Sequence, residues 1–229
     1  MSKLIIANFK MNGTKSSIKQ WFNDFSKENN TSNEVIVALP STFLIDFVDN
    51  DISLAAQNVS SYTSGAYTSQ ISAEMLKDCG INYSIIGHSE SREFLKETDE
   101  DIFKKYLQLK KYHLASIICI GESLKNREDN LFKSFLSSQL KQFEDEEDEL
   151  IIAYEPIWAI GSGLIPTIED INEVSELIRE ICKNVKILYG GSVNKENASN
   201  LLNNSNIDGV LVGGASLDPK EFANIAQSC

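Results

Sequence analysis

The sequence predicts an α/β fold, a single (β/α)8 barrel occupying residues 1–229, on three observations. Eight short, apolar, β-rich runs alternate with eight amphipathic segments of helical period. Strand followed by helix, repeated from end to end, calls for parallel strands joined by helical crossovers. Asn8, Lys10, His88, Glu122, Glu155, Gly190 and Gly213 all fall at or just past the C-terminal ends of the runs, the face on which barrel enzymes carry their active sites. No Pro/Ser-rich linker, composition break or low-complexity tract divides the chain, and α/β barrels of this length form one domain.

In chain order, the apolar run Leu4–Ala7 leads to a helical pattern over Ser17–Glu28, and Val35–Leu39 to one over Thr42–Asp49. Ser53–Ala56 is followed by the longest connection outside a helix, Gln57–Ser72, and then by a helical pattern over Ala73–Cys79. A loop of that size in a compact domain is usually functional or an interface. Tyr83–Ile86 precedes Asp99–Tyr112, which Thr98 caps; Ser89, Glu90 and Ser91 are suited to start a short helix between them. Ala115–Ile120 leads to Leu131–Phe143, and the acidic run Glu144–Glu149 reads as a solvated turn before Leu150–Tyr154. Thr167 caps Ile168–Cys182. Lys186–Tyr189 leads to Lys195–Leu202, and Gly209–Val212 to Pro219–Ala226, where Asp218-Pro219 combines a cap with a proline at the first helical position.

Composition narrows the class of function. Acidic residues number 33 against 21 basic ones, for a net charge of -12, which argues against nucleic acid or an anionic membrane as partner. The same charge opposes a phosphorylated substrate at long range, so any phosphate site must rely on local donors. Cys79, Cys119, Cys182 and Cys229 are far apart with no Cys-x-x-Cys pair, a usage that fits a reducing compartment and implies no zinc site. The apolar stretch in MSKLIIANFKMN is too short for a signal peptide, and no segment approaches the roughly 20 apolar residues of a membrane span. A cytoplasmic protein is expected.

The most informative stretch is AYEPIWAIGSG, residues 153 to 163. Glu155 ends a buried apolar strand, Pro156 stiffens the exit, and Trp158, Ala159 and Ile160 follow with no polar partner of their own. Gly161 and Gly163 supply backbone freedom and bare amides. A lone Glu after a strand is ordinarily solvated surface, but a carboxylate followed by an apolar flap suits a base that is covered during chemistry. The whole string resembles the catalytic loop of the triosephosphate isomerase family. NFKMN at 8 to 12, GHSESR at 87 to 92, CIGE at 119 to 122, YGGSV at 189 to 193 and DGVLVGGASL at 208 to 217 resemble further segments of that family in the same order.

The resemblance implies a TIM barrel that interconverts dihydroxyacetone phosphate and D-glyceraldehyde 3-phosphate through an enediolate, with no metal and no cofactor. This family is the reference case for a Glu base working with a neutral His electrophile, which assigns Glu155 as base and His88 as electrophile. His88 is one of only two histidines; the other, His113, precedes a strand on the opposite face and reads as structural. Lys10 provides fixed positive charge and Asn8 a neutral donor to substrate oxygen, and Glu90 resembles the carboxylate that supports this lysine. Gly161, Ser192, Gly213 and Gly214 stand where the family's phosphate-binding amides lie. Residues 156 to 165 are expected to close over the ligand, with Ile160 and Leu211 as apolar walls and Tyr189 and Ser192 securing the closed loop. The Gln57–Ser72 loop is expected to project into a second subunit of a homodimer.

The chain departs from the family's pattern at several places. Leu164, Ile165 and Pro166 align with a usual lysine, a small or apolar residue and an alanine. The backbone N–H at that alanine receives special use in the family, bonding the tyrosine of YGGS when the loop shuts; proline has none. Ser91 replaces an arginine, while Arg92 keeps the next one, and Ser69 and Gln70 replace a glycine and an acid. Two other readings compete: a Schiff-base aldolase, for which Lys10 is the only candidate lysine, and a barrel retired to a binding role, which has no need of Asn8, Lys10, His88 and Glu155 together.

Overall fold

The structure, a computed structural model, describes residues 2–160 and 164–229. Its strands are β1 (Leu4–Asn8), β2 (Glu34–Leu39), β3 (Ser53–Ala56), β4 (Tyr83–Ile86), β5 (Ala115–Ile120), β6 (Leu150–Tyr154), β7 (Val185–Tyr189) and β8 (Gly209–Val212). The helices are α1 (Lys15–Glu28), α2 (Ser41–Phe47), α3 (Ala73–Asp78), α4 (Ser89–Phe94), α5 (Asp99–Lys111), α6 (Leu124–Glu128), α7 (Phe132–Leu140), α8 (Ile168–Ile181), α9 (Ala198–Asn204) and α10 (Pro219–Ala226). Each strand pairs in parallel with the next, and β1 pairs with β8, so the sheet closes as a barrel.

Closure explains why the strands read as nearly continuous apolar runs: both faces are covered. Alternate residues divide between two cores. Leu4, Ile6, Ile85, Ile117, Ala153 and Leu211 pack together inside the barrel. Their neighbours Ile5, Ala7, Ile86, Ile118, Ile152 and Val212 pack against the surrounding helices. Register is set across the closing seam, with Ile6 beside both Ile36 and Leu211.

The expected strands match to within a residue, and the expected caps form. Thr98, Thr167 and Asp218 each accept backbone N–H bonds in the first turns of α5, α8 and α10. Thr14 does the same for α1, extending it N-terminally beyond the expected start. The expected helix over Leu131–Phe143 is α7 followed by a 3-10 turn, Lys141–Phe143. The helical pattern over Lys195–Leu202 is shifted: Asn194 takes up a local turn with Asn197, and α9 begins only at Ala198. The acidic run forms a largely exposed turn as expected, except that Glu146 accepts bonds from Tyr106 and Lys110. No described helix is long and apolar enough to cross a membrane.

Gly209 is the tightest point of the seam. A Cβ there would stand 1.8 Å from the Leu4 carbonyl oxygen, a backbone atom that cannot yield without breaking the β1–β8 ladder. Gly209→Ala is therefore expected to lower unfolding free energy by roughly 3 kcal/mol. An unchanged urea midpoint would show that the seam can relax.

Candidate active site

Glu155 follows β6 and is 3% exposed. Strand alternation aims it: Ile151 and Ala153 face the barrel interior, and position 155 continues that face. Glycines make the room. A Cβ on Gly190 would lie 2.7 Å from Glu155 Cγ, and one on Gly121 would lie 1.8 Å from its carbonyl oxygen. The Glu155 N–H donates to Ile120 O at 2.7 Å, fixing the start of the loop to the end of β5. Cys119 lies beside the carboxylate, and burial first, then the nearby Glu155 charge, holds its thiol well above the usual range. Sequence reasoning missed Cys119; its inward parity with Ile117 was the available signal.

His88 reaches the same space by a different route. Alternation would send it outward with Ile86, but Gly87 has φ +68°, and this left-handed step turns the chain back over the mouth. His88 is 6% exposed and forms the N-cap of α4. The Glu90 N–H donates to His88 Nδ1 at 3.2 Å, which leaves the ring N–H on Nε2. That Nε2 stands 3.2 Å from Glu155 Oε1. The retained Arg92 braces the turn, donating to Gly87 O at 2.8 Å and Cys119 O at 3.1 Å while pairing with Asp99 at 2.6 Å.

Asn8 and Lys10 meet these groups from β1. Asn8 Oδ1 accepts the Lys10 N–H at 3.0 Å, supporting a non-glycine residue at φ +49°. Gln57, singled out in the sequence only as a loop boundary, donates to Lys10 O at 3.0 Å. Lys10 Nζ pairs with Glu90 Oε1 at 2.6 Å, the partnership expected for these two residues.

A cavity of about 420 Å³ joins all four residues to the glycine-bearing loops after β7 and β8. Ser192, Gly213 and Gly214 line its far side, with Ile160 and Leu211 as apolar walls. A Cβ on Gly213 would lie 3.5 Å from Lys10 Cε, so the lysine stem runs beside that loop, whereas Gly214 faces open space. Gly214–Leu217 is a 3-10 turn and α10 begins only at Pro219. Glu221 also reaches the cavity, an acid that no sequence signal places there. Gly161 lies outside the described residues.

The flap after Glu155 starts as a 3-10 turn, Ile157–Ala159. Trp158 does have a polar partner, contrary to the sequence reading: its Nε1 donates to Glu122 Oε1 at 3.1 Å, as the Tyr154 hydroxyl does at 3.0 Å. Glu122 is fully buried; an indole N–H and a phenol from a distant segment, which periodicity cannot reveal, both bond its Oε1, while its Oε2 has no hydrogen-bond partner among the described residues. Ser192 Oγ donates to Ala159 O at 2.6 Å. Tyr189 is fully buried, and its hydroxyl has no hydrogen-bond partner among the described residues. Burial alone pushes that phenol upward.

Of the other departures, Ser69, Gln70 and Ser91 do not line this cavity. Ser69 adopts φ +79°, a conformation that suits the glycine it replaces. Gln70 accepts the Ser60 hydroxyl at 2.5 Å, and Ser91 O accepts the Leu95 N–H at 3.0 Å. His113 is exposed with φ +57° in the turn after α5, away from the cavity.

A family model described as triosephosphate isomerase matches residues 3–229. A triosephosphate isomerase of Francisella philomiragia is 41% identical, covering 98% of this chain and 96% of the relative. One from Mesomycoplasma hyopneumoniae is 43% identical, covering 98% of both.

Gly190→Ala is expected to keep the fold but displace the Glu155 carboxylate, because the new methyl would stand only 2.7 Å from Glu155 Cγ, closer than van der Waals contact. A crystal structure of the variant should show the carboxylate moved away from His88. Retention of the 3.2 Å spacing would mean that the loop after β7 shifts instead.

Proposed function

The chain belongs to the triosephosphate isomerase family, and we propose that Glu155 and His88 carry its isomerase reaction. The observation that supports this most directly is the 3.2 Å approach of Glu155 Oε1 to His88 Nε2 inside a cavity also bounded by Lys10 and Asn8. Glu155 takes the proton from C1 of dihydroxyacetone phosphate while the His88 Nε2–H hydrogen-bonds to the C2 oxygen. The C1–H bond breaks, its electrons form the C1–C2 double bond, and the C2 oxygen takes on negative charge. His88 passes its proton to that oxygen and recovers one from the C1 hydroxyl. Glu155 returns its proton to C2, leaving the C1 carbonyl of D-glyceraldehyde 3-phosphate.

Each neighbour has a part in this reading. Lys10 places positive charge near the developing oxyanion, and Asn8 donates to substrate oxygen. Ser192, Gly213 and Gly214, together with Gly161, offer backbone N–H groups to the phosphate, so a dianion is held by local donors despite the acidic chain. Ile160 and Leu211 exclude water, which protects the enediolate from losing phosphate. The chemistry is proton transfer among side chains and uses no metal or cofactor.

We also infer a homodimer formed through the Gln57–Ser72 loop. Tyr62 and Tyr67 stack on that loop at 3.9 Å, and Met11 and Phe94 are 96% and 72% exposed, apolar surface that a second subunit would cover. Free cysteines fit a cytoplasmic enzyme of glycolysis and gluconeogenesis.

Three measurements test these assignments. Glu155→Gln is expected to lower turnover by roughly 10³-fold or more while a phosphate-bearing analogue still binds with near-native affinity; equal loss of binding would point to a folding role. Light scattering should return twice the 25.5 kDa chain mass, and a fully active monomer would contradict the inter-subunit loop. Pro166 has no N–H for the Tyr189 hydroxyl. Tyr189→Phe is therefore expected to leave stability unchanged or raised and to lower kcat/KM by less than about tenfold. A larger loss would mean that the hydroxyl finds a partner when the flap closes.

A further inference from the structure

Among the described residues, the catalytic cavity is lined by Lys10, Glu155 and Glu221 as its charged side chains. Two of them have partners that fit the proposed chemistry. Lys10 Nζ pairs with Glu90 at 2.6 Å, and Glu155 Oε1 stands 3.2 Å from His88 Nε2. Glu221 is different. It belongs to the first turn of α10, and its carboxylate makes no hydrogen bond or ion pair among the described residues. Its position three residues after the N-cap Asp218 is that of a capping-box acid, but only half of the box forms. Asp218 Oδ1 accepts the Lys220 and Glu221 N–H groups at 2.9 and 3.0 Å, and the Glu221 side chain does not bond back. Capping is complete without it.

An unpartnered carboxylate in a cavity that receives an anion acts on that anion through its charge. Glu221 shares the cavity with Ser192, Gly213 and Gly214, the residues proposed to hold phosphate, and with Asn194 and Ala215 beyond them in the same two loops. Coulomb energy scales with the product of the charges, so Glu221 opposes a second anionic group more strongly than a first. Screening confines the effect to about 8 Å at physiological ionic strength, which sets an acid lining the cavity apart from the chain's general acidic excess. Size does not do the same work. A triose phosphate has about ten non-hydrogen atoms, which at a water's share of about 30 Å³ each leaves part of the 420 Å³ unfilled. A second phosphate group would find room, and charge is what opposes it.

We propose that Glu221 is a specificity-determining residue of the isomerase: it restricts the phosphate end of the cavity to ligands with a single phosphate group, by weakening the binding of anions more as their charge rises. This role rests on the phosphate position proposed above, against Ser192, Gly213 and Gly214, and Glu221 takes no part in the proton transfers.

Calorimetric titration of the intact protein with inorganic phosphate and with pyrophosphate, in metal-free buffer, tests the proposal. Glu221→Gln should bind phosphate about threefold more tightly and pyrophosphate about tenfold or more. Its KM for dihydroxyacetone phosphate should fall in step with the phosphate Kd, with no rise in kcat. Glu196→Gln removes the same charge from an exposed acid outside the cavity and should leave both affinities at their native values. If Glu221→Gln fails to fold, Glu221→Ala takes its place in the same titrations. Native affinities for both anions in the Glu221 variant, an equal gain for phosphate and pyrophosphate, or the same gain from Glu196→Gln would each overturn the proposal. A native protein that binds neither anion would remove the phosphate site itself, and this role with it.

Discussion

Glu155 can occupy the barrel mouth only because two neighbouring strand ends carry no side chain. Gly121 lets the backbone of β5 come against the Glu155 carbonyl, and Gly190 leaves the volume that Glu155 Cγ occupies. Most of the site follows from that packing. The carboxylate is forced toward the barrel axis, where His88 Nε2, the Ser89 N–H and the Cys119 thiol are within reach. Burial of a carboxylate is costly unless it is hydrogen-bonded, and the turn at Gly87 brings those donors to it. The same glycine step lets Arg92 tie the β4 turn to the end of β5, so the imidazole and the carboxylate are held from a shared frame.

Acidity and anion recognition are reconciled by geometry of short range. A chain with a net charge of -12 repels a phosphate at a distance, but screening confines that effect to about 8–10 Å at physiological ionic strength. Within the cavity the relevant charges are few. Lys10 is held between the Glu90 carboxylate and the loop at Gly213, which keeps one positive charge beside the proposed phosphate position. Glu221 works against it from the same cavity, which makes the contribution of backbone donors correspondingly important in the proposed reading.

The flap and its neighbours show how a family pattern can be kept in outline and changed in its bonds. Trp158 is tied to buried Glu122 and Ala159 to Ser192, so the first half of the flap has polar attachments to the barrel. Tyr189 has a buried hydroxyl with no partner among the described residues, and Pro166, which aligns with the family's usual alanine, carries no N–H. The Gln57–Ser72 loop shows a parallel change. Ser69 keeps a glycine-like φ of +79°, and Gln70 bonds to Ser60 where the family has an acid.

The strands and most helices were legible in the sequence because their signals are local. Apolar runs mark β1 to β8, and Thr98, Thr167 and Asp218 mark helix starts through bonds spanning only a few residues. Gly, Glu and His at strand ends also named the candidate site, helped by motifs of contiguous residues. What local pattern could not decide was set by contacts across the closed barrel. Alternation alone would turn His88 outward, and only the left-handed Gly87 directs it inward. Trp158 gains Glu122 as partner from 36 residues away, and the start of α9 depends on which turn Asn194 and Asn197 form. Periodicity reports which face a residue occupies, but bond partners and free volume depend on backbones brought together by closure of β1 on β8.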